Sequence, residues 1–183
     1  MLSSNAYSQT LVAHYSFDNN AKDISSNNNH GSIIGGVTSA KDRFGNPCGA
    51  MSFDGKDGYI EIPTSASLES ISNYLSVSCW FYIPKTAQNS VMRDLTLICK
   101  GDQSSETKSN PQYRVQVLQM TNQSTVSINT GFTKNDNNYR NHLIEFDKWN
   151  FYCLTYDGNE VKTYLNGNLV WNFPFNTTFE LNK

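Results

Sequence analysis

Residues 149–170, WNFYCLTYDGNEVKTYLNGNLV, carry the most informative local pattern in the chain. Asn166-Gly167 supplies the two positive φ angles of a type I′ turn, whose twist matches that of the two strands it joins. Counting outward from this turn pairs Tyr164 with Leu169 and Lys162 with Trp171. It also places Tyr164, Leu169, Trp171 and Phe173 on one face. Because of its turn, the stretch predicts a tight antiparallel hairpin.

The rest of the chain repeats short runs of β-forming residues between Gly, Asn, Asp and Pro, and helical periodicity is nearly absent. One helical turn is predicted over 67–72, as a filler between strands. This spacing predicts an all-β fold, a two-sheet antiparallel β-sandwich. The predicted strands are 10–17, 32–37, 50–53, 59–62, 75–83, 96–100, 113–120, 125–130, 149–156, 160–165 and 168–173.

Composition and charge exclude several classes of partner. The net charge is -2 and the basic residues are scattered, so no phosphate-binding surface for nucleic acid is predicted. No apolar run approaches the ~20 residues that a membrane-spanning helix needs.

The four cysteines, Cys48, Cys79, Cys99 and Cys153, lie far apart and form no metal-binding pair. They are expected to be buried thiols, with disulfides as the alternative.

The first ten residues, MLSSNAYSQT, are small and polar. They have the small-x-small pattern of a signal-peptidase site, so residues 1–10 are interpreted as a signal-peptide remnant or a disordered start. Residues 11–183 are interpreted as one sandwich domain. A secreted or cell-surface location is the corresponding expectation.

Four segments in sequence resemble the laminin-G-like jelly rolls, which are related to pentraxins and are concanavalin A-like. They are LVAHYSFDNNAKDISSNNNHG (11–31), FGNPCGAMSFDGKDGYIEIP (44–63), LSVSCWFYIP (75–84) and the opening stretch quoted above. The resemblance implies a jelly-roll sandwich over residues 11 to about 173. The segment 179–183, FELNK, does not resemble the family's closing strands. The resemblance therefore implies an open sheet edge, with two alternatives: the closing C-terminal strands lie outside this sequence, or a partner chain or domain supplies them.

Catalysis is not predicted. Glu145 and Asp147 are the best candidates for the carboxylate pair that glycosidases on this fold use, but they precede a strand and are interpreted as loop carboxylates. His14, His30 and His142 are widely separated and no nucleophile motif accompanies them. The chain is therefore predicted not to be an enzyme.

Calcium is the cofactor that the sequence favours. The loop 18–31 concentrates side-chain and carbonyl oxygens, which are the ligands that calcium prefers. Asp18, Asp23 and Asn28 are the predicted ligands, with Asp54 and Asp57 as a second group. The alternative is that the same side chains cap turns.

Ligand binding is predicted at aromatic residues beside planar polar groups, since these suit sugars. The candidates are Tyr139 with Arg140 in a polar loop, and Tyr164 with Trp171 on the hairpin. The predicted function is a non-catalytic extracellular recognition module for a glycan or a protein. The alternatives are a structural domain that assembles through an open sheet edge, and a diverged glycoside hydrolase or polysaccharide lyase.

Overall fold

The computed structural model describes residues 10–71, 74–88, 94–100, 113–119, 126–131, 140–142 and 144–174. The chain divides into two compact units, Met1–Ser70 and Ile71–Lys183. Within the described residues, no helix has the length and apolar content that crossing a bilayer requires.

The first unit contains two small antiparallel sheets, in which β1 pairs with β4 and β2 pairs with β3. Gly35, at φ 66°, forms the bend between β1 and β2. A short helix follows, and its N-cap Ser65 accepts a hydrogen bond from the Leu68 amide. The elements are β1 (Ser32–Ile34), β2 (Val37–Ala40), β3 (Ala50–Phe53), β4 (Tyr59–Glu61) and α1 (Ala66–Glu69).

The second unit contains two four-stranded antiparallel sheets. Its strands are β5 (Leu75–Tyr82), β6 (Asp94–Lys100), β7 (Tyr113–Gln119), β8 (Val126–Gly131), β9 (Arg140–His142), β10 (Trp149–Tyr156), β11 (Glu160–Leu165) and β12 (Asn168–Pro174). We call β12-β11-β10-β5 the front sheet and β6-β7-β8-β9 the back sheet. A 3-10 turn, Lys85–Gln88, follows β5.

The core of the second unit lies between these sheets. Alternate residues of β10 and β11 are buried, as a strand with one face in a core requires. Tyr152 and Leu154 of the front sheet belong to the same apolar cluster as Val115 of the back sheet. The predicted all-β, antiparallel two-sheet fold is confirmed. The buried members are Leu75, Phe81, Ile83, Val115, Ile144, Tyr152, Leu154, Tyr156, Val161 and Leu165.

The predicted strand over 10–17 is wrong. The segment has a single bridge, between Tyr15 and Asp23. The His14 amide donates instead to the Asp23 carboxylate, at 2.8 Å. A side chain that captures backbone donors in this way competes with a strand ladder.

The hairpin register differs from the prediction beyond Tyr164. Tyr164 faces Leu169 as predicted, but a β-bulge then places Thr163 opposite Trp171 and Lys162 opposite Asn172. The predicted pairing of Lys162 with Trp171 is therefore wrong. Val170 is the extra residue of the bulge, which a count outward from the turn does not reveal.

Candidate functional site

The outer face of the front sheet carries a row of aromatic side chains. Along β5 the buried residues Leu75 and Phe81 alternate with outward residues, of which Trp80 and Tyr82 are 45% and 44% exposed. Along β10 the buried Asn150 separates two outward aromatic residues, Trp149 and Phe151. The sheet therefore presents aromatic rings on the side opposite its core.

Cross-strand pairing brings these rings into contact. Trp80 lies opposite Phe151 with ring centroids 5.1 Å apart and a 42° angle between the ring planes. Tyr82 lies opposite Trp149 with centroids 5.9 Å apart and an angle of 58°. Tilted pairs at these distances attract each other by about 0.5–1.5 kcal/mol beyond their apolar burial. The rings therefore form a fixed surface.

Tyr164 extends this surface onto β11. It lies opposite Cys153 of β10 on one side and opposite Leu169, which is 53% exposed, on the other. Residues that are diagonal across two strands lie about 7–8 Å apart, within reach of aromatic side chains, and Tyr164 is diagonal to Phe151 in this way. We call Tyr82, Trp149, Trp80, Phe151 and Tyr164 the aromatic strip.

Polar and charged side chains of β11 and β12 lie beside the strip on the same face. Asn172 donates to Glu160 at 2.7 Å, and the Lys162 ammonium lies 2.7 Å from the other oxygen of the same carboxylate. The hydrogen bond from Lys162 lowers the pKa of Glu160, and the hydrogen bond to Glu160 raises the pKa of Lys162. The charges of this pair cancel beside the strip.

Two side-chain amides, those of the buried Asn150 and the exposed Asn166, hold the backbone of the strip. The Asn150 side chain is fully buried, donates to the carbonyls of Glu145 and Lys148, and accepts from the Glu145 amide. Its oxygen also accepts from Asn166 at 3.2 Å. Asn166 in turn accepts from the Phe151 amide at 2.8 Å. The backbone on both sides of Asn150, which carries Trp149 and Phe151, is thereby fixed.

The strip contains one of the four predicted ligand-binding residues, Tyr164. Trp171 lies opposite Thr163, whose side chain is buried, and stacks on Phe173 with centroids 4.1 Å apart, so it shares the core-side face of the sheet. Arg140 begins β9 of the back sheet, although the sequence predicts a loop there. Tyr139 lies outside the described residues.

Sequence reasoning missed the other four residues of the strip. The run LSVSCWFYI predicts a strand, but that prediction does not distinguish the two faces of the strand. Its strict alternation places Val77 and Phe81 on the core side and therefore turns Trp80 and Tyr82 outward. That alternation was the available signal.

Asp23 does not fit a calcium ligand. It is 4% exposed, and its carboxylate accepts four hydrogen bonds of 2.7–2.8 Å from the amides of His14, Ser25 and Asn29 and from the Ser25 hydroxyl. Burial alone raises its pKa, but these hydrogen bonds outweigh that effect and lower the pKa to about 2. The donors occupy the lone pairs that a metal would need.

The second predicted group, Asp54 and Asp57, also accepts backbone hydrogen bonds. Asp54 accepts from the amides of Lys56 and Gly58, and these hydrogen bonds lower its pKa against the opposing effect of desolvation. Asp57 accepts from the Gly36 amide at 3.0 Å. Asp18 and Asn28 lie in the loop around Asp23. Among the residues that the structure describes, no group of three acidic, His or Cys side chains is placed to hold a metal ion.

The candidate catalytic carboxylates lie in the turn before β10. Glu145 forms an ion pair with Lys148, and Asp147 accepts from the Lys85 amide at 2.9 Å. His30 accepts from the Asp23 amide. Each of these side chains therefore has a structural contact.

The four cysteines are free thiols. Cys79, Cys99 and Cys153 lie on β5, β6 and β10, whereas Cys48 is exposed in a loop. Burial, with a smaller effect of Cys153, raises the pKa of Cys79 to about 12. A thiol of this kind stays protonated at neutral pH and is a poor nucleophile.

The fold and the outward face define a concanavalin A-like β-sandwich. A laminin G family model, Laminin G 3, described as the concanavalin A-like lectin/glucanases superfamily, matches residues 54–182. The chain belongs to this family.

A solved structure with the same fold comes from a bacterium. It is domain 4 of AbnA, a GH43 extracellular arabinanase from Geobacillus stearothermophilus, in complex with arabinotriose. The two structures superpose with a TM-score of 0.61 at 21% identity, over 92% of this chain and 77% of that chain. Comparison with curated proteins finds no significant sequence match.

Proposed function

We propose that this chain is a non-catalytic module that binds glycans through the aromatic strip. The observation that carries this proposal is the exposure of Trp80 and Tyr82 beside Phe151 and Trp149 on the outer face of the front sheet. Aromatic faces stack on the C–H patches of sugar rings, and nearby hydroxyl and amide groups hydrogen-bond to sugar hydroxyls. Ser76, Ser78 and Asn172 supply such groups on the same face.

Family membership and the arabinanase domain support this proposal. The family description includes lectins, and the domain of similar fold was solved with arabinotriose. That domain belongs to an extracellular enzyme, which supports an extracellular role for this chain. Fold alone does not determine function, so the proposal depends on the strip.

The absence of catalysis is part of the proposal. Hydrolysis of a glycosidic bond by the usual mechanism needs two carboxyl groups flanking that bond. Within the described strands of the front sheet, Glu160 is the carboxylate on the outer face, and it is neutralised by Lys162. A face of this composition suits binding.

The test is binding of purified protein to a panel of soluble polysaccharides and oligosaccharides, by affinity electrophoresis and calorimetry. Trp80→Ala is expected to weaken binding by about tenfold, because losing about 1.4 kcal/mol of stacking changes an affinity by that factor. Phe44→Ala is the matched control, because Phe44 is an exposed aromatic residue of the first unit and is not part of the front sheet. Failure of every glycan to bind would refute the proposal.

Assembly through a sheet edge is less well supported. Among the described strands, the front sheet has two edge strands, β5 and β12. β12 ends at Pro174, which has no backbone N–H to donate to an added strand. Proline at an edge is a common protection against strand addition.

A further inference from the structure

The aromatic strip is long and narrow. It consists of three successive rows of the sheet: Tyr82 with Trp149, then Trp80 with Phe151, then Tyr164 with Leu169. Successive rows are two residues apart, and an antiparallel strand rises about 3.4 Å per residue, so the first and third rows are about 14 Å apart. A single sugar ring can cover one row only.

The rows also shift sideways along the sheet. The first two rows lie on β5 and β10, and the third lies on β11 and β12. In the third row, β5 and β10 carry the small residues Ser78 and Cys153. The apolar surface therefore runs diagonally, and its shape matches an extended chain better than a compact or branched ligand.

The strip is uncharged along its length. Within the described strands of the front sheet, the charged residues on this face are Glu160 and Lys162, which form an ion pair with each other. A carboxylated or sulfated sugar on the strip would lose part of its hydration, and the strip itself has no cation to pair with the anion. This loss of hydration costs binding free energy. The chemistry of the face therefore selects neutral sugars.

Resting on the proposed function, we infer that the ligand is an unbranched, uncharged glycan chain that contacts all three rows, so that three or more consecutive sugar units are bound. The first two rows bind a disaccharide on their own. Tyr164 is the residue that extends the site to longer chains.

The experiment is calorimetry with linear oligosaccharides of one to six units from arabinan, xylan, cellulose and mannan, with oligogalacturonates as the charged comparison. In the series that binds, affinity should rise by about tenfold or more between two and four units and then level off. Tyr164→Ala should reduce the affinity for the tetrasaccharide to near that for the disaccharide and leave the disaccharide unchanged. Tyr82→Ala should weaken both.

Thr155→Ala is the control, because Thr155 is on the same face outside the strip. Circular dichroism checks each fold, and Tyr164→Leu, which keeps an apolar side chain, replaces Tyr164→Ala if the latter unfolds. Equal affinity for one and four units, with Tyr82→Ala still harmful, would overturn this inference and leave the proposed function standing. Tighter binding of oligogalacturonates would overturn the choice of neutral sugars. No binding in any series would refute both.

Discussion

The Asp23 carboxylate shows how one residue can organise a loop that has almost no regular structure. Its two oxygens collect donors from three positions along residues 14–29, so the loop is held by a side chain where a strand would use its backbone. From the sequence alone, the Asp, Asn and Ser content of this loop predicts calcium ligation, because a carboxylate oxygen can bind a calcium ion as well as accept a hydrogen bond from a backbone amide. Only the positions of the backbone amides distinguish the two roles.

Replacement of Asp23 by Asn should destabilise the first unit. The amide keeps one acceptor oxygen but turns an NH₂ group toward backbone donors, and losing charge-assisted hydrogen bonds at a buried site costs about 1–3 kcal/mol. Thermal melting and limited proteolysis of residues 10–70 measure the change. Asp18→Asn is the comparison in the same loop and should have a smaller effect; equal effects would show that Asp23 has no special role.

The stability difference between the natural chain and Asp23→Asn should depend on pH, because the pKa of Asp23 is lowered in the folded protein. Asp23 titrates at about 2 in the folded protein against an ordinary value of 3.8. The folded state therefore gains stability from the charged form above about pH 4 and loses it as the pH falls from about 4 through 2. The stability gap between the natural chain and Asp23→Asn should be constant near neutrality and shrink below pH 4; a gap independent of pH would contradict this.

Asn150 should matter more to stability than an exposed asparagine on the same sheet. Its side chain makes four hydrogen bonds and is fully buried. Asn150→Ala leaves these partners unsatisfied and should cost about 2–4 kcal/mol in urea unfolding. Asn172→Ala removes one exposed hydrogen bond and should cost less than about 1 kcal/mol.

At the scale of elements, the hairpin turn between β11 and β12 depends on Gly167. Its φ is 83°, and a Cβ added there would contact nothing within 4 Å. The cost of Gly167→Ala is therefore conformational, about 1–2 kcal/mol, and chemical denaturation measures it. Gly167→Asn should be milder because asparagine tolerates this conformation; an equal or larger loss would point to a steric cause.

Alternation and turn chemistry were sufficient to predict most strands. β3, β10 and β11 have the predicted bounds, because each is a clean run between turn residues. β9 was missed, because a three-residue strand beginning at Arg140 has no apolar alternation to reveal it. The bulge at Val170 was missed for a related reason: an extra residue in a ladder leaves no mark in composition.

At the scale of the whole molecule, the fold was predictable and most of the aromatic strip was not. The strip joins residues of β5 with residues of β10 that lie far away in the sequence. The register between the two strands determines which aromatic rings are in contact. Register between strands that are distant in the sequence cannot be predicted from the residues of either strand alone. Tyr164 was identified because it lies in a local hairpin, where the turn fixes its neighbours.

Metal removal tests the calcium prediction for the intact protein. A bound ion at 100 times its dissociation constant would stabilise the folded state by about 2.7 kcal/mol, and a chelator would remove that contribution. Because the Asp23 carboxylate is already filled by donors, we expect melting to be the same in calcium and in excess chelator. A lower melting temperature in chelator would show that calcium binds the chain.

The bulge at Val170 bears on how the protein tolerates changes in length. Deleting Val170 leaves Trp171 opposite Thr163 and Phe173 opposite Val161, so both rings stay inside. Deleting Asn172 instead moves Phe173 opposite Lys162, on the solvent side. Related sequences that are one residue shorter in this hairpin should therefore lack the residue at 170 and retain the one at 172.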